Sequence, residues 1–174
     1  MKFWVGVTDK NWFEYLASIS PDEVNFWKPS GQGFGAIEVG APFLFKLHSP
    51  INKIVGGGYF IRSEQIPLSL AWDAFGNKNG SSNLNDLRNK INSLRAKPEA
   101  DPTIGCIILN QPFFFSEDKW IDVPNSFARN IVTGKTYDTN EQDGERLWNE
   151  VALRLNDVKT ERQGLVAESL SGYG

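Results

Sequence analysis

Apolar residues come in short runs separated by polar, glycine- and proline-bearing stretches, and the spacing within the runs alternates between strand-like and helix-like. Phe3-Trp4-Val5-Gly6-Val7 reads as a strand that gives way at Thr8-Asp9 to a short helix containing Trp12, Tyr15 and Leu16. Phe43 to Leu47 and Ile54 to Ile61 read as two more strands, joined by a hairpin-like connection from His48 to Lys53. Gly56-Gly57-Gly58 predicts a bulge or tight bend inside the second of them. Beyond Pro67, the stretch Leu68 to Phe75 predicts a helix stopped by Gly76, and Asn77 to Asn83 reads as a loop. Leu84, Leu87, Ile91 and Leu94 then share one face at helical spacing, with Ser82 or Asn83 as the cap.

Lys97 to Pro102 is a polar connection into Ile104 to Phe115, the longest strand-like stretch, broken at Asn110-Gln111-Pro112, where proline predicts an edge or a bend. Ile131 to Asp138 predicts a short strand with a turn, and a helix from about Glu141 packs through Leu147, Val151 and Leu155. Strands separated by unequal helices and loops, without regular alternation, predict an α+β fold: a curved mixed sheet or small β-barrel with peripheral helices. Residues 1–155 read as one domain and residues 156–174 as a C-terminal tail or linker. There is no internal repeat.

Composition narrows the function classes. The 174 residues are 40% hydrophobic, enough for one domain with a real core, and carry a net charge of −3. That balance argues against a strongly basic, sequence-indifferent coat for nucleic acid, which gains affinity by neutralising many phosphates. No segment approaches the length of a membrane span or has the form of a signal peptide, so a cytoplasmic protein is expected. Cys106 is the only cysteine and lies in the apolar run Ile104 to Leu109, which suits a buried, inert thiol.

Candidate chemistry is mostly removed rather than supplied. With one histidine, His48, and one cysteine, a Cys/His metal site cannot be assembled, and His48 reads as a loop or pocket-edge residue. Gly134-Lys135-Thr136 resembles the end of a phosphate-binding loop, but Arg129 stands where the first glycine is required. Gly31-Gln32-Gly33-Phe34-Gly35 lacks the strand and spacing of a dinucleotide fingerprint. The carboxylates show no spacing that pairs them for acid-base work. No catalytic residue, metal or cofactor is therefore expected.

What remains is a recognition surface. The segment Glu23 to Gln32 crowds aromatic, cationic, rigid and flexible residues where no regular structure is indicated; an aromatic cap on the core is its plain alternative. Trp27 with Tyr59 or Tyr137 offers flat faces on which a base can stack, and Phe26 adds to the wall. Lys28, Lys46 and Lys135 are candidates for phosphate contacts. Asn25, Ser30, Gln32, Thr136 and Asp138 are candidates for reading the edge of a flipped base.

The order of Phe3-Trp4, Phe26-Trp27-Lys28-Pro29-Ser30, Ile37 to Lys46 and Ile54-Val55-Gly56-Gly57-Gly58 resembles the EVE domain of the PUA-like superfamily. The later pocket segment of that family, usually Ser-Arg-Leu-Ser, corresponds here to the divergent Thr133 to Tyr137. Over most of residues 1–155, Val24 to Ser30, Phe43 to Leu47, Pro67 to Trp72 and Asn130 to Asp138 also resemble the EVE- or SRA-like N-terminal reader of modification-dependent HNH restriction endonucleases. The resemblance implies a module that flips 5-hydroxymethylcytosine or 5-methylcytosine out of double-stranded DNA, with cleavage left to a C-terminal HNH nuclease domain that this chain lacks. A homodimer stays open. A PUA-like reader of modified RNA, of the methylated-adenine type, would use the same aromatic pocket, and a small-molecule-binding domain or enzyme would use the same concavity.

Overall fold

Alternation along the first strand, β1 (Lys2–Thr8), sets the architecture. Phe3 and Val5 enter an apolar cluster on one face, while Trp4 packs on the other. The computed structural model describes the backbone of residues 1–171 and the side chains of residues 1–159. After β1 come α1 (Lys10–Ile19), β2 (Glu23–Asn25), β3 (Pro42–Leu47), β4 (Lys53–Pro67), α2 (Leu68–Phe75) and α3 (Leu84–Ser93). The chain continues with β5 (Thr103–Phe114), β6 (Ile121–Asp122), β7 (Gly134–Asp138) and α4 (Gln142–Ser171). Short 3-10 turns cover Gly76–Asn79 and Glu117–Lys119.

The strands form one open mixed sheet in the order β2-β5-β4-β3-β1-β7, with β6 paired to the start of β4. β1 and β3 are the parallel pair, and the other pairings are antiparallel. The sheet is not closed, so of the two expected forms the curved mixed sheet is the one adopted. Three apolar clusters hold it. α1 closes the first through Trp12, Phe13 and Leu16, against Phe26, Phe43, Phe45 and Phe60. α4 covers the second through Leu147 and Val151, against Phe3, Leu44 and Tyr137. α2 and α3 cover the third through Leu68, Phe75, Leu87 and Ile91, against Ile104, Cys106 and Ile108. Among the described residues no helix is long and apolar enough to cross a membrane.

Several elements depart from expectation for identifiable reasons. β4 runs on to Pro67 rather than ending near Ile61, because its polar second half, Arg62 to Gln65, pairs with Gly105–Ile108 of β5. β5 is not broken at Asn110-Gln111-Pro112. It kinks there, with Gln111 at φ +47, just past the point where β2 stops pairing at Asn110. Pro112, which has no N–H to give, thus sits beyond the reach of β2. The glycine triplet lies at the predicted irregularity, where the β4–β5 register shifts between Gly57 and Tyr59. β2 and β6 are too short for their pattern to show. α4 continues through residue 155 to Ser171, so the expected boundary with a tail falls inside a helix; residues 172–174 lie outside the described part.

The close strand approach at the triplet has a measurable consequence. A Cβ on Gly57 would stand 2.6 Å from the Phe43 carbonyl oxygen and 2.9 Å from the Phe113 ring. Backbone on that side cannot yield without parting β3 from β4. Gly57→Ala is expected to lower unfolding free energy by about 2 kcal/mol or more, as overpacking of a tight core does; urea denaturation checks it.

Candidate nucleobase cleft

Backbone pairing turns the aromatic segment after β2 into an irregular continuation of the sheet. Phe26 N–H donates to the Ile107 carbonyl at 2.9 Å and Lys28 N–H to the Gly105 carbonyl at 2.7 Å. Gly105 N–H donates in return to the Ser30 carbonyl at 2.9 Å. Only glycine fits at 105, since a Cβ there would lie 2.5 Å from the Gln32 carbonyl oxygen. Arg95 Nη1 fixes the far end by donating to the Pro29 carbonyl at 2.6 Å. The side chains therefore alternate: Val24 and Phe26 join the cluster under α1, whereas Asn25 turns toward the α2 side.

Asn25 is fully buried, and its polar atoms are engaged by the fold. Its Nδ2 donates to Asn79 Oδ1 at 2.9 Å and to Cys106 Sγ at 3.2 Å, and its Oδ1 accepts from Ile107 N–H at 3.2 Å. Asn79, also fully buried, donates to the Ala71 and Gly76 carbonyls at 3.0 and 2.9 Å. Its own carbonyl accepts the Trp27 indole N–H at 2.9 Å. Burial pushes the Cys106 thiol pKa up, in keeping with an inert side chain.

Around Trp27 opens a cleft of about 300 Å3. Trp12, Phe26 and Trp27 supply its aromatic walls, and Lys28 and Pro29 continue one side. Val7, Thr8 and Asp9, at the carboxyl end of β1, line it as well, with His48 from the end of β3. Leu94 and Val132, 56% and 76% exposed, stand at its margin with Thr133. The junctions are bonded: His48 N–H donates to the Thr8 carbonyl at 3.2 Å, and Val7 N–H to the Thr133 carbonyl at 3.0 Å. Asp9 caps α1 by accepting Trp12 N–H at 2.8 Å, and its other oxygen meets Lys90 Nζ at 3.2 Å. Lys28 Nζ lies 5.4 Å from the Phe34 ring centre, and partial burial lowers its pKa.

The remaining sequence candidates are elsewhere. Ser30 and Gln32 are exposed beyond Pro29 and do not line the cleft. Tyr59 packs on Phe113, with ring centres 6.1 Å apart, and burial raises its pKa. Tyr137 is buried under α4, stacked on Phe3 at 5.9 Å, and its hydroxyl meets Ser126 Oγ at 3.2 Å. Lys46 is buried on that same face, where Nζ donates to Asn52 Oδ1 at 2.9 Å and lies 5.2 Å from the Phe127 ring. Lys135 Nζ donates to the Ser126 carbonyl at 2.9 Å. Thr136 faces the Trp4 position across the β1–β7 pair. Asp138 sits at the sheet edge, 3.6 Å from the N-terminal amine, and the Asn140 N–H is the main cause of its lowered pKa. Lys46, Tyr137 and Lys135 thus gather on the face under α4, apart from the cleft that Phe26, Trp27 and Lys28 line, although a single pocket had been expected to unite them.

Of the residues not named as binders by sequence, Thr8, Asp9 and Trp12 carried the clearest signal. They form a strand-to-helix junction with an aromatic in the first helical turn. Val132 and Leu94 carried none, since only the fold brings them beside Trp27.

Comparison with solved structures finds a similar fold in ASCH crystal structures. The crystal structure of ASCH from Zymomonas mobilis is 10% identical with a TM-score of 0.57, covering 84% of this chain and 94% of that one. A tyrosine-to-phenylalanine mutant of that protein is 12% identical with a TM-score of 0.55, covering 86% and 98%. A serine-to-alanine mutant is 8% identical with a TM-score of 0.54, covering 84% and 94%. No family model and no curated protein sequence matches the chain. The chain therefore has a mixed α+β fold similar to that of the ASCH structures.

The buried amide pair generates a stability prediction. Asn25→Leu leaves the Ile107 N–H and the Asn79 side-chain oxygen without their partner. The expected loss is about 2–4 kcal/mol, on the scale of one or two unsatisfied buried polar groups. Thermal and urea unfolding of the variant beside the parent measure it.

Proposed function

We propose that this chain is a nucleic-acid-binding module that holds a single extruded base in the cleft between Trp12 and Trp27. The observation that carries the reading is the cleft itself: about 300 Å3, walled by two indoles and a phenyl ring, with a cation beside it. That volume is at the small end of ligand sites, about 300–1,000 Å3, and suits a flat heterocycle better than an extended ligand. The Trp27 ring is held by its bond to the Asn79 carbonyl, so it need not be ordered on binding. Lys28, which lines the cleft, is the cation proposed to meet the phosphate next to the base. The Asp9 carboxylate, Thr8 and Thr133 hydroxyls and His48 ring are polar groups beside the aromatic walls that can meet an exposed base edge.

The finer reading keeps modified cytosine, 5-hydroxymethylcytosine or 5-methylcytosine, in duplex DNA as the base. Its support is the sequence resemblance to the reader domains of HNH restriction endonucleases, and the role proposed for this chain is recognition without cleavage. Extrusion of a base from a duplex needs unstacking, and exposed apolar side chains such as Val132 and Leu94 beside the pocket are suited to the vacated stack.

Binding is tested with a panel at one stated salt concentration: duplexes carrying unmodified, methylated or hydroxymethylated cytosine, and RNA carrying methylated adenine. A modified-cytosine duplex is expected to bind at least about tenfold more tightly than the plain one, a difference of about 1.4 kcal/mol. Preference for the modified RNA replaces DNA with RNA in this reading, and no preference among the probes overturns it. Trp27→Ala is expected to weaken the preferred probe by about 1–3 kcal/mol, the value of one stacked base. Lys28→Ala should weaken all probes alike and flatten the salt dependence, whereas Lys46→Met, beneath Phe127, should leave affinity unchanged.

A further inference from the structure

One short turn touches both indole walls of the cleft. The Asn79 carbonyl, at the end of the Gly76–Asn79 turn, accepts the Trp27 N–H at 2.9 Å. The next residue, Gly80, has φ +89 and lies so close to Trp12 that a Cβ would fall on the Trp12 ring. The turn is itself held from three sides through one side chain: Asn79 bonds to Ala71 of α2, to Gly76 and to Asn25 of β2. Asn79 is a fully buried polar residue whose side chain is spent on hydrogen bonds to the fold, and its carbonyl is left to hold the Trp27 ring.

We infer that Asn79 is a positioning residue for base binding, setting the orientation of Trp27 from behind the cleft. This inference rests on the proposed base-holding role of that cleft. Asn79 itself does not line the cavity. Its effect on binding must therefore pass through the Trp27 N–H.

That route is testable by a double-mutant cycle read as affinity for the modified-cytosine duplex. Asn79→Ala is expected to weaken binding roughly tenfold when residue 27 is tryptophan, the loss of a pre-oriented stacking face. In a Trp27→Phe background, where the N–H is already gone, the same change is expected to matter by less than about twofold. A merely structural loss would weaken both backgrounds equally, and that result overturns the inference. Hydrogen exchange of the indole N–H in the unmodified protein is a second readout that survives any failure of Asn79→Ala to fold. Slow exchange at Trp27 supports the anchor, and exchange as fast as a freely exposed indole overturns it. If the unmodified protein binds none of the duplexes, the base-holding role fails, while the exchange rate still decides whether Asn79 anchors the ring.

Discussion

The hydrogen bond between the buried amides of Asn25 and Asn79 is the contact on which the placing of the Trp27 cleft depends. At 2.9 Å it joins the edge strand β2 to the turn after α2, two segments 54 residues apart. Both side chains lie out of water, where each unpaired donor or acceptor would be penalised, so their bonds to Ile107, Ala71 and Gly76 have to be made together. Once they are made, the Asn79 carbonyl has one orientation, and the Trp27 indole follows it. A polar core element thereby specifies the position of an aromatic surface element, which hydrophobic packing alone, being non-directional, does not do.

The second constraint is the two-residue period of the sheet. It sends Phe26 and Phe45 inward under α1 and sends Leu44, Lys46 and Tyr137 to the face under α4. Residues of similar chemistry are thus segregated by parity and not by sequence distance. The cleft escapes that segregation because it lies off the end of the sheet, where β1 runs into α1, β3 ends at His48 and the chain approaches β7. There both faces contribute to one concavity.

These two constraints explain how much was legible beforehand. The strands at Phe3, Phe43, Ile54 and Ile104, the helices at Leu68 and Leu84 and the irregularity at Gly56-Gly57-Gly58 all follow from local periodicity and glycine or proline chemistry, and the structure has them. The aromatic segment was recognisable as unusual, and Trp27 and Lys28 do line the cleft. Asn25 was read as a base-edge contact because an asparagine beside aromatics fits that chemistry. Its actual partner is Asn79, and a pairing over 54 residues leaves no local trace. Tyr137 and Lys135 were grouped with Trp27 on composition, and only the strand register, which sets Lys135 opposite Val5 and Tyr137 opposite Phe3, puts them on the face under α4.

Whether a base enters between Trp12 and Trp27 is decided by following the six indole N–H resonances of the 15N-labelled protein as the modified-cytosine duplex is added. Large shifts at Trp12 and Trp27, with Trp72, Trp120 and Trp148 unmoved, are the predicted result. Shifts centred on Trp120 or Trp148, with Trp12 and Trp27 unchanged at saturation, would contradict it.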